Sequence, residues 1–427
     1  MKIPPELKDL SKRDLIRLIL DLQRRLLAYE NAHTPPSQSK NRYPKREPTG
    51  NPVGAPKGHK GTTRPAAIPD EIVDVKQETC SSCYHKLGKP MRIITRLIED
   101  IPRPAPIKVT QFNVHAYLCQ NCAEINIAKH PELPMHGRFG YSLMAQIAIM
   151  KYEDRLPCRK IAAALNRQYN LGLTSAAILS ILERVAHSCQ PAYESIREHV
   201  KSSSNVYADE TGYRVQGKQW WVWVFTTLSA ALFLFRNSRG QQPVEEAIGS
   251  IYSGVLNCDG LNVYPRKVRR LQRCWAHLLR EAKLLAQEKQ GQAALLYLEL
   301  CGLFGKVNLL RKQKLALDKR KEQKALLTKQ MKMLIGRAKT YRELRTFARK
   351  IEHGLEYWFT CVLYPEAEPT NNRAERALRE VVVQRKIIGT LRGEKGAHVT
   401  EVLMSVLATW RLQGLNTLSM LRQTLSS

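Results

Sequence analysis

The 427-residue sequence has no uninterrupted apolar run that predicts a membrane-spanning helix. Its longest apolar stretch, residues 220–235, is shorter than a membrane-spanning helix and is interrupted by threonine and serine. The amino-terminal segment has no apolar core of the kind found in signal peptides. These absences argue against an integral membrane protein and predict a cytoplasmic location.

Acidic residues are few relative to basic ones. The chain has 68 Lys and Arg against 38 Asp and Glu, which gives a formal net charge of +30. A protein with this balance attracts polyanions, and the attraction weakens with salt. Nucleic acid is the favoured partner, while an anionic membrane surface and the ribosome are the alternatives. The length and the 43% hydrophobic content predict about two to four domains.

Two segments precede the first cysteine. Residues 1–33 include a leucine-rich pattern over 6–31 that predicts one helix, which either pairs with a second copy or docks on its own domain. Residues 34–69 form a basic linker rich in proline and glycine. Small residues separate its cations, so its backbone could approach DNA closely, although a solvated linker is the alternative. The predicted DNA-binding residues here are Lys57, His59, Lys60 and Arg64.

Four of the ten cysteines form two Cys-x-x-Cys pairs, and the others are scattered. The pairs are Cys80–Cys83 and Cys119–Cys122, within the segment 70–132. Strand-like pieces over 91–101 and 107–118 lie between them. Two such pairs predict a structural Zn²⁺ site with four thiolates, in a zinc ribbon that binds DNA. Four unrelated reduced cysteines are the alternative.

The remaining chain reads as one helical region followed by a mixed α/β region. Residues 133–202 predict helices with a break at Leu171-Gly172 and a cap at Thr174 or Ser175, either a helix-turn-helix or a plain hairpin. Residues 203–427 begin with three consecutive strands, followed by a short helix, further strands and helices. A basic helical segment over about 278–360 interrupts this α/β region.

Three acidic residues stand in distinctive settings. Asp209 lies in an apolar strand, Asp259 ends another, and Glu375 opens a basic helix. If folding brings them together, three carboxylates can hold two Mg²⁺ or Mn²⁺ ions, and such a pair cuts and joins phosphodiesters. Glu210 is left out of this set because alternate residues of a strand point to opposite faces.

Each acid also has a structural interpretation. Asp209 could belong to a buried hydrogen-bond network, and Asp259 could cap an Asp-Gly turn. Glu375 could complete a capping box with Asn372 or pair with Arg379 one turn later. The run from Cys274 to His277 suggests packing beside the site, with a catalytic or metal-binding role as the alternative.

Taken in order, these motifs resemble the bacterial DDE transposases of the insertion-sequence IS66 family. The resemblance covers nearly the whole chain. It rests on the leucine-rich helix, the GHKG-type linker, the paired Cys-x-x-Cys motifs, ADET around Asp209 and DG-x-x-x-Y from Asp259 to Tyr264. It continues with CWAH ending at His277, NN-x-AER-x-LR from Asn371 to Arg379, and RKIIGTLRGEKGA over 385–397.

The resemblance implies an RNase-H-like catalytic core with an all-helical insertion, preceded by the zinc ribbon and the amino-terminal helix. Asp209, Asp259 and Glu375 would be its DDE triad, acting with two Mg²⁺ or Mn²⁺ ions. The activity would be cleavage and strand transfer of double-stranded DNA at terminal inverted repeats and target sites. A nuclease without strand transfer and a non-catalytic DNA-binding regulator are the alternatives.

The resemblance also implies partners. A homodimer would bring two DNA ends together, and accessory proteins of the same element could assist. The protein would be associated with the nucleoid and not with a membrane. Four cations near Glu375 could hold phosphates beside the metals, namely Arg373, Arg376, Arg385 and Lys386.

Overall fold

The structure is a computed structural model that describes residues 67–101, 104–261, 263–264 and 268–427. The predicted leucine-rich helix and the linker cations Lys57, His59, Lys60 and Arg64 lie outside these residues. The chain divides into two units, Met1–Ile107 and Lys108–Ser427. The segment 70–132 therefore contributes to both units, and each unit is described separately.

The described part of the first unit has little regular structure. Thr79 and Lys86 form an isolated antiparallel bridge around the Cys80–Cys83 turn. The strand predicted over 91–101 is wrong, because those residues form no helix or strand. Met91, Ile93 and Ile98 are each more than 70% exposed, so no apolar contact holds this segment in a sheet.

The second unit begins with a small hairpin and continues with four helices. Strands β1 (Ala116–Leu118) and β2 (Ile125–Ile127) pair antiparallel, so the strand predicted over 107–118 forms only at its end. The helices are α1 (Tyr141–Tyr152), α2 (Cys158–Tyr169), α3 (Ser175–Ser188) and α4 (Gln190–Ser202). The Thr174 side chain accepts a hydrogen bond from the backbone N–H of Ala177 and caps α3, as predicted.

A five-stranded mixed sheet follows these helices. Its elements are β3 (Asn205–Val215), β4 (Lys218–Thr226), β5 (Ala231–Arg236), helix α5 (Gln242–Ile248), β6 (Tyr252–Cys258) and β7 (Val268–Arg273). The strand order is β5-β4-β3-β6-β7. Strand β4 pairs antiparallel with both β3 and β5, whereas β6 pairs parallel with both β3 and β7. The predicted run of three consecutive strands is confirmed.

The chain then leaves the sheet for a helical segment with its own core. This segment comprises α6 (Trp275–Lys289), α7 (Gly291–Lys312), α8 (Leu317–Thr340), α9 (Arg345–His353) and α10 (Thr360–Leu363). Apolar side chains from these helices, such as Leu300, Met331 and Phe347, form a cluster largely separate from the core of the sheet. Helices occupy the segment predicted to be helical, about 278–360, and its role as an insertion stays a prediction.

Helix α7 is long and apolar enough to cross a membrane by length and composition alone. Core helices of soluble proteins meet the same criterion, so this is weak evidence for a membrane span. One face of α7, including Leu296, Leu300 and Leu303, is buried in the core of the helical segment.

Three closing helices return to the sheet: α11 (Asn372–Ile388), α12 (Glu394–Leu412) and α13 (Thr417–Ser426). Helix α12 covers the edge strand β5. Side chains one turn apart on α12 accept hydrogen bonds from alternate N–H groups of β5, so this edge is not left open for another strand. The pairs are Glu401 with Phe235 at 2.8 Å, Ser405 with Phe233 at 2.9 Å, and Thr409 with Ala231 at 3.0 Å.

Glu401 is the charged member of this row, and its side chain is only 4% exposed. It also accepts hydrogen bonds from Tyr193 at 2.6 Å and Arg236 at 2.7 Å. We expect Glu401→Ala to lower the free energy of unfolding by about 3 to 5 kcal/mol, because it leaves Arg236 with an incomplete set of partners. Urea unfolding followed by tryptophan fluorescence measures this loss.

The matched control is Glu198→Ala. Glu198 pairs with Lys201 at 2.8 Å, but its side chain is 70% exposed. Its removal should leave the free energy of unfolding nearly unchanged, because solvent screens an exposed ion pair. Equal losses for the two variants would contradict the role assigned to Glu401.

Candidate active site

The sheet places Asp209 within β3 and Asp259 directly after β6, each two residues beyond the point where these strands stop pairing. The pairing of β3 with β6 ends at Tyr207 and Asn257, just before the two acids. Asp209 continues along β3 opposite Val224 of β4, and Asp259 directly follows β6. Beyond the last paired residues, the neighbouring strands leave room for polar groups, as at other sites at strand carboxyl ends.

The carboxyl group of Asp209 lies in an acidic and largely buried environment. Burial and the nearby carboxylates of Glu210, Asp259 and Glu375 raise the pKa of Asp209 to about 7, against an opposing hydrogen bond from the Glu210 N–H. The charges of Asp259 and Glu375 thus reach Asp209, although the three acids are far apart in the sequence. A group of neighbouring carboxylates like this one is suited to a divalent cation.

Asp259 also has the structural role that its Asp-Gly sequence suggests. One carboxylate oxygen accepts a hydrogen bond from the Leu261 N–H at 2.9 Å and caps the turn after β6. A carboxylate has several acceptor sites, so this contact fixes the side chain without using all of them. The turn-capping interpretation and the metal-binding interpretation are therefore compatible.

Glu375 lies in the first turn of α11, as the sequence predicts. Its alternative structural roles are not realised. The cap residue of α11 is Asn371, whose side chain does not cap the helix. Glu375 contacts His277, with Oε1 3.5 Å from Nδ1, and Arg280, with Oε2 3.9 Å from the guanidinium. The start of α6 and the start of α11 thus meet at one carboxylate.

Asn371 connects the elements that carry these acids. It is fully buried, and its side-chain amide donates to the Ala208 carbonyl at 2.7 Å, one residue before Asp209. Its backbone N–H donates to the Cys274 sulfur at 3.1 Å. Asn371 therefore ties β3, the start of α6 and the start of α11 together. The motif NN-x-AER contains this residue, but the sequence carries no signal for its role.

The Glu210 side chain is held by its own set of partners, Arg239 and Tyr264. It pairs with Arg239 at 2.8 Å and accepts a hydrogen bond from the buried Tyr264 hydroxyl at 3.1 Å. Arg239 also stacks over Trp221, 4.4 Å from the ring centroid. Burial raises the pKa of Glu210 despite these partners. These contacts fix Glu210, the neighbour of Asp209 on β3. No pattern in the sequence predicts the ion pair between Arg239 and Glu210.

The four cations predicted near Glu375 differ in their contacts. Arg373 pairs with Glu368 at 2.7 Å, and Arg385 donates to the Gly212 carbonyl of β3. Both therefore hold protein groups. Arg376 and Lys386 are exposed, and Arg376 donates only to the Asn372 carbonyl of its own helix.

The two cysteine pairs have the same local turn. In the first turn, the Cys80 N–H donates to the His85 carbonyl, and the Tyr84 N–H donates to the Cys80 carbonyl. In the second turn, the Cys119 N–H donates to the Glu124 carbonyl, and the Ala123 N–H donates to the Cys119 carbonyl. Tyr84 and Ala123 both have positive φ, 59° and 53°. Hydrogen bonds, chiefly from the Cys83 and Cys122 backbones, lower the pKa of Cys80 and Cys119, which favours the thiolate that binds metals. The pairs belong to different units, and their joint Zn²⁺ site stays a prediction.

Comparison with known proteins assigns this architecture to a class, the transposases. The model of the IS66 transposase family matches residues 136–399, which include the sheet, the helical insertion and all three acids. The chain belongs to the IS66 transposase family.

Two similar proteins come from Sinorhizobium fredii (strain NBRC 101917 / NGR234). The uncharacterized protein y4jD is 22% identical over 381 residues, which cover 81% of this chain and 74% of y4jD. The uncharacterized protein y4qI is 24% identical over 321 residues, covering 66% of this chain and 58% of y4qI. The similarity to y4jD extends beyond the part matched by the family model.

The raised pKa of Asp209 predicts a pH-dependent stability. In the metal-free folded protein, Asp209 keeps its proton up to about pH 7, whereas the unfolded chain ionises near its ordinary value of 3.8. Stability should therefore fall as pH rises from about 4 to 7, by at most about 4 kcal/mol. Urea unfolding in the presence of a chelator measures the free energy of unfolding at pH 5 and pH 8. Between these pH values it should fall more for the wild type than for Asp209→Asn.

The role of Asn371 predicts a second effect. Asn371→Ala should lower the free energy of unfolding by about 1 to 3 kcal/mol, because the Ala208 carbonyl loses its buried partner. The exposed neighbour Asn372 provides the control, since the Asn372→Ala change removes no such contact. Urea unfolding of both variants measures the difference, and equal stabilities would contradict the role of Asn371.

Proposed function

We propose that Asp209, Asp259 and Glu375 form the catalytic triad of a DDE transposase that cuts and joins DNA. The observation that carries this proposal is the buried hydrogen bond from Asn371, at the start of the Glu375 helix, to the Ala208 carbonyl beside Asp209. The charges of Asp259 and Glu375 both reach Asp209. Family membership gives the chain a transposase function in general terms. The triad, the reaction and the DNA sites are the finer parts of the proposal.

The sheet supports an RNase-H-like core. Three antiparallel strands in sequence are followed by two strands parallel to the first, and helices cover the sheet. The first acid is on the central strand, the second follows the neighbouring parallel strand, and the third follows the insertion on α11. This is the arrangement expected if the insertion separates the acids in sequence while the fold reunites them.

The residues present fit two Mg²⁺ or Mn²⁺ ions. All three proposed ligands offer carboxylate oxygens, the donors that these hard cations prefer. Burial and three neighbouring carboxylates raise the pKa of Asp209, and a bound divalent cation would offset both effects. When bound, such ions activate the attacking hydroxyl and stabilise the departing oxygen in phosphoryl transfer.

The protein residues would orient these groups and the DNA. Asn371 and the turn at Asp259 fix two of the carboxylates through backbone contacts. The exposed side chains of Arg376 and Lys386 are free to contact DNA phosphates. Arg373 and Arg385 would act indirectly, by holding Glu368 and the backbone of β3.

Other parts of the chain would bind DNA at a distance from this site. The two similar cysteine turns support a Zn²⁺ ribbon with Cys80, Cys83, Cys119 and Cys122 as ligands. Together with the basic linker and the helices of residues 133–202, it would bind the terminal inverted repeats. A homodimer in the bacterial cytoplasm, with or without accessory proteins, would then bring two ends together.

Cleavage of DNA carrying the element's ends tests the triad. With Mg²⁺ or Mn²⁺, the wild type should nick an end oligonucleotide and join it to a target plasmid. Asp209→Asn, Asp259→Asn and Glu375→Gln should each reduce both rates at least about 100-fold, because each removes a charge that holds the cations. Gel analysis of labelled ends follows cleavage and joining separately.

Glu380→Gln is the matched control on the same helix. Glu380 pairs with Arg155 at 2.7 Å and has no contact with the three acids. It should retain cleavage and joining. Full activity after any of the three triad substitutions would reject the assignment, and cleavage without joining would indicate a nuclease.

A further inference from the structure

A second constellation of metal-binding side chains lies next to the proposed triad. The ligand atoms of Cys274, His277 and Glu375 all lie within 4.8 Å of one another. Cys274 directly precedes α6, and His277 is in the first turn of that helix. The two residues are three apart and lie on the same side of the helix. Glu375 comes from the first turn of α11.

Two of these ligand atoms lack hydrogen-bond partners. His277 Nδ1 and Glu375 Oε1 are buried atoms without a partner among the described residues, and they lie 3.5 Å apart. Buried polar atoms normally have hydrogen-bond partners. Two such atoms that face each other without one indicate that a bound group belongs between them. A cation between a carboxylate and an imidazole nitrogen would satisfy both atoms.

The sulfur atom completes the set. Cys274 is 2% exposed, and burial raises the pKa of its thiol. The backbone N–H groups of Asn371, His277 and Ala276 oppose that effect with hydrogen bonds to the sulfur. The starts of two helices, α6 and α11, also meet here, and their positive ends favour negatively charged ligands.

We propose that Cys274, His277 and Glu375 bind a thiophilic divalent cation of the Zn²⁺ class. Thiolate and imidazole ligands select Zn²⁺ and related metals, whereas Mg²⁺ prefers oxygen ligands throughout. Three protein ligands leave a fourth position for water or substrate, as in open zinc sites. This site is separate from the four cysteines of the predicted ribbon.

Glu375 would then serve two metal sites of opposite preference. Occupation by Zn²⁺ would engage Oε1 of the carboxylate that the proposed triad needs for Mg²⁺ or Mn²⁺. Zn²⁺ bound at this site therefore weakens the binding of the catalytic cations. This consequence rests on the proposed function, whereas the binding of Zn²⁺ itself does not.

Metal analysis of the full chain tests the site. Protein stripped of metal and dialysed against Zn²⁺ should bind one ion more per chain in the wild type than in Cys274→Ser or His277→Ala. Cobalt spectroscopy gives a second readout, because Co²⁺ bound to the Cys274 thiolate adds a charge-transfer band that Cys274→Ser removes. Circular dichroism confirms that each variant is folded, and the half-exposed His277 is the safer position to change.

The controls change the same residue types elsewhere. Cys301→Ser on α7 and His187→Ala on α3 should bind as much Zn²⁺ as the wild type. Equal Zn²⁺ content in the wild type, Cys274→Ser and His277→Ala would overturn the proposal. Since this count needs no DNA, a wild type without cleavage activity would count against the proposed function alone.

Manganese binding tests the competition. One equivalent of Zn²⁺ beyond that held by the predicted ribbon should weaken Mn²⁺ binding at least about tenfold in the wild type, by electron paramagnetic resonance of free Mn²⁺. His277→Ala should show a much smaller effect. If Zn²⁺ released Mn²⁺ equally from the wild type and His277→Ala, Zn²⁺ would be displacing Mn²⁺ directly from the carboxylates. That result would overturn the proposed competition through the Cys274–His277–Glu375 site.

Discussion

The central constraint in this protein is the repulsion between carboxylates gathered in a partly buried place. Asp209 lies within the electrostatic reach of Glu210, Asp259 and Glu375, and its pKa is raised to about 7 as a result of burial and these charges. A buried carboxylate without a hydrogen-bond partner or a bound cation destabilises the fold. A strongly raised pKa of this kind marks the group of acids as a candidate functional site.

The surrounding structure counters the repulsion with fixed contacts. Asn371 links the backbone beside Asp209 to the helix that carries Glu375, and Leu261 holds Asp259. Glu210 is held by Arg239 and Tyr264. On the far side of the sheet, three side chains of α12 bond the edge strand β5. The sheet that carries the first acid is thus braced by hydrogen bonds at its edge and at the site.

The family match and the contacts described above concern the same part of the chain. The family model covers the sheet, the insertion and the acids, and the structure adds the contacts between them. It also separates two groups of cations near Glu375. Arg373 and Arg385 hold the protein itself, whereas Arg376 and Lys386 face solvent. Closeness in sequence did not distinguish these groups, because successive residues of a helix point in different directions.

The sequence by itself determined the local structure of the second unit and the identity of its acids. Apolar runs predict β3, β4 and β5, Thr174 or Ser175 is a predicted helix cap, and Glu375 is predicted to open a helix, because these signals depend on neighbours in the chain. Of the two cap candidates, the structure selects Thr174. The strand predicted over 91–101 failed, since an apolar pattern forms a strand only with a partner. Tertiary structure alone decided that Asn371 bonds Ala208, that Arg239 supports Glu210, and that Cys274 and His277 meet Glu375. Each of these contacts joins residues far apart in sequence, and no local pattern encodes such a distance.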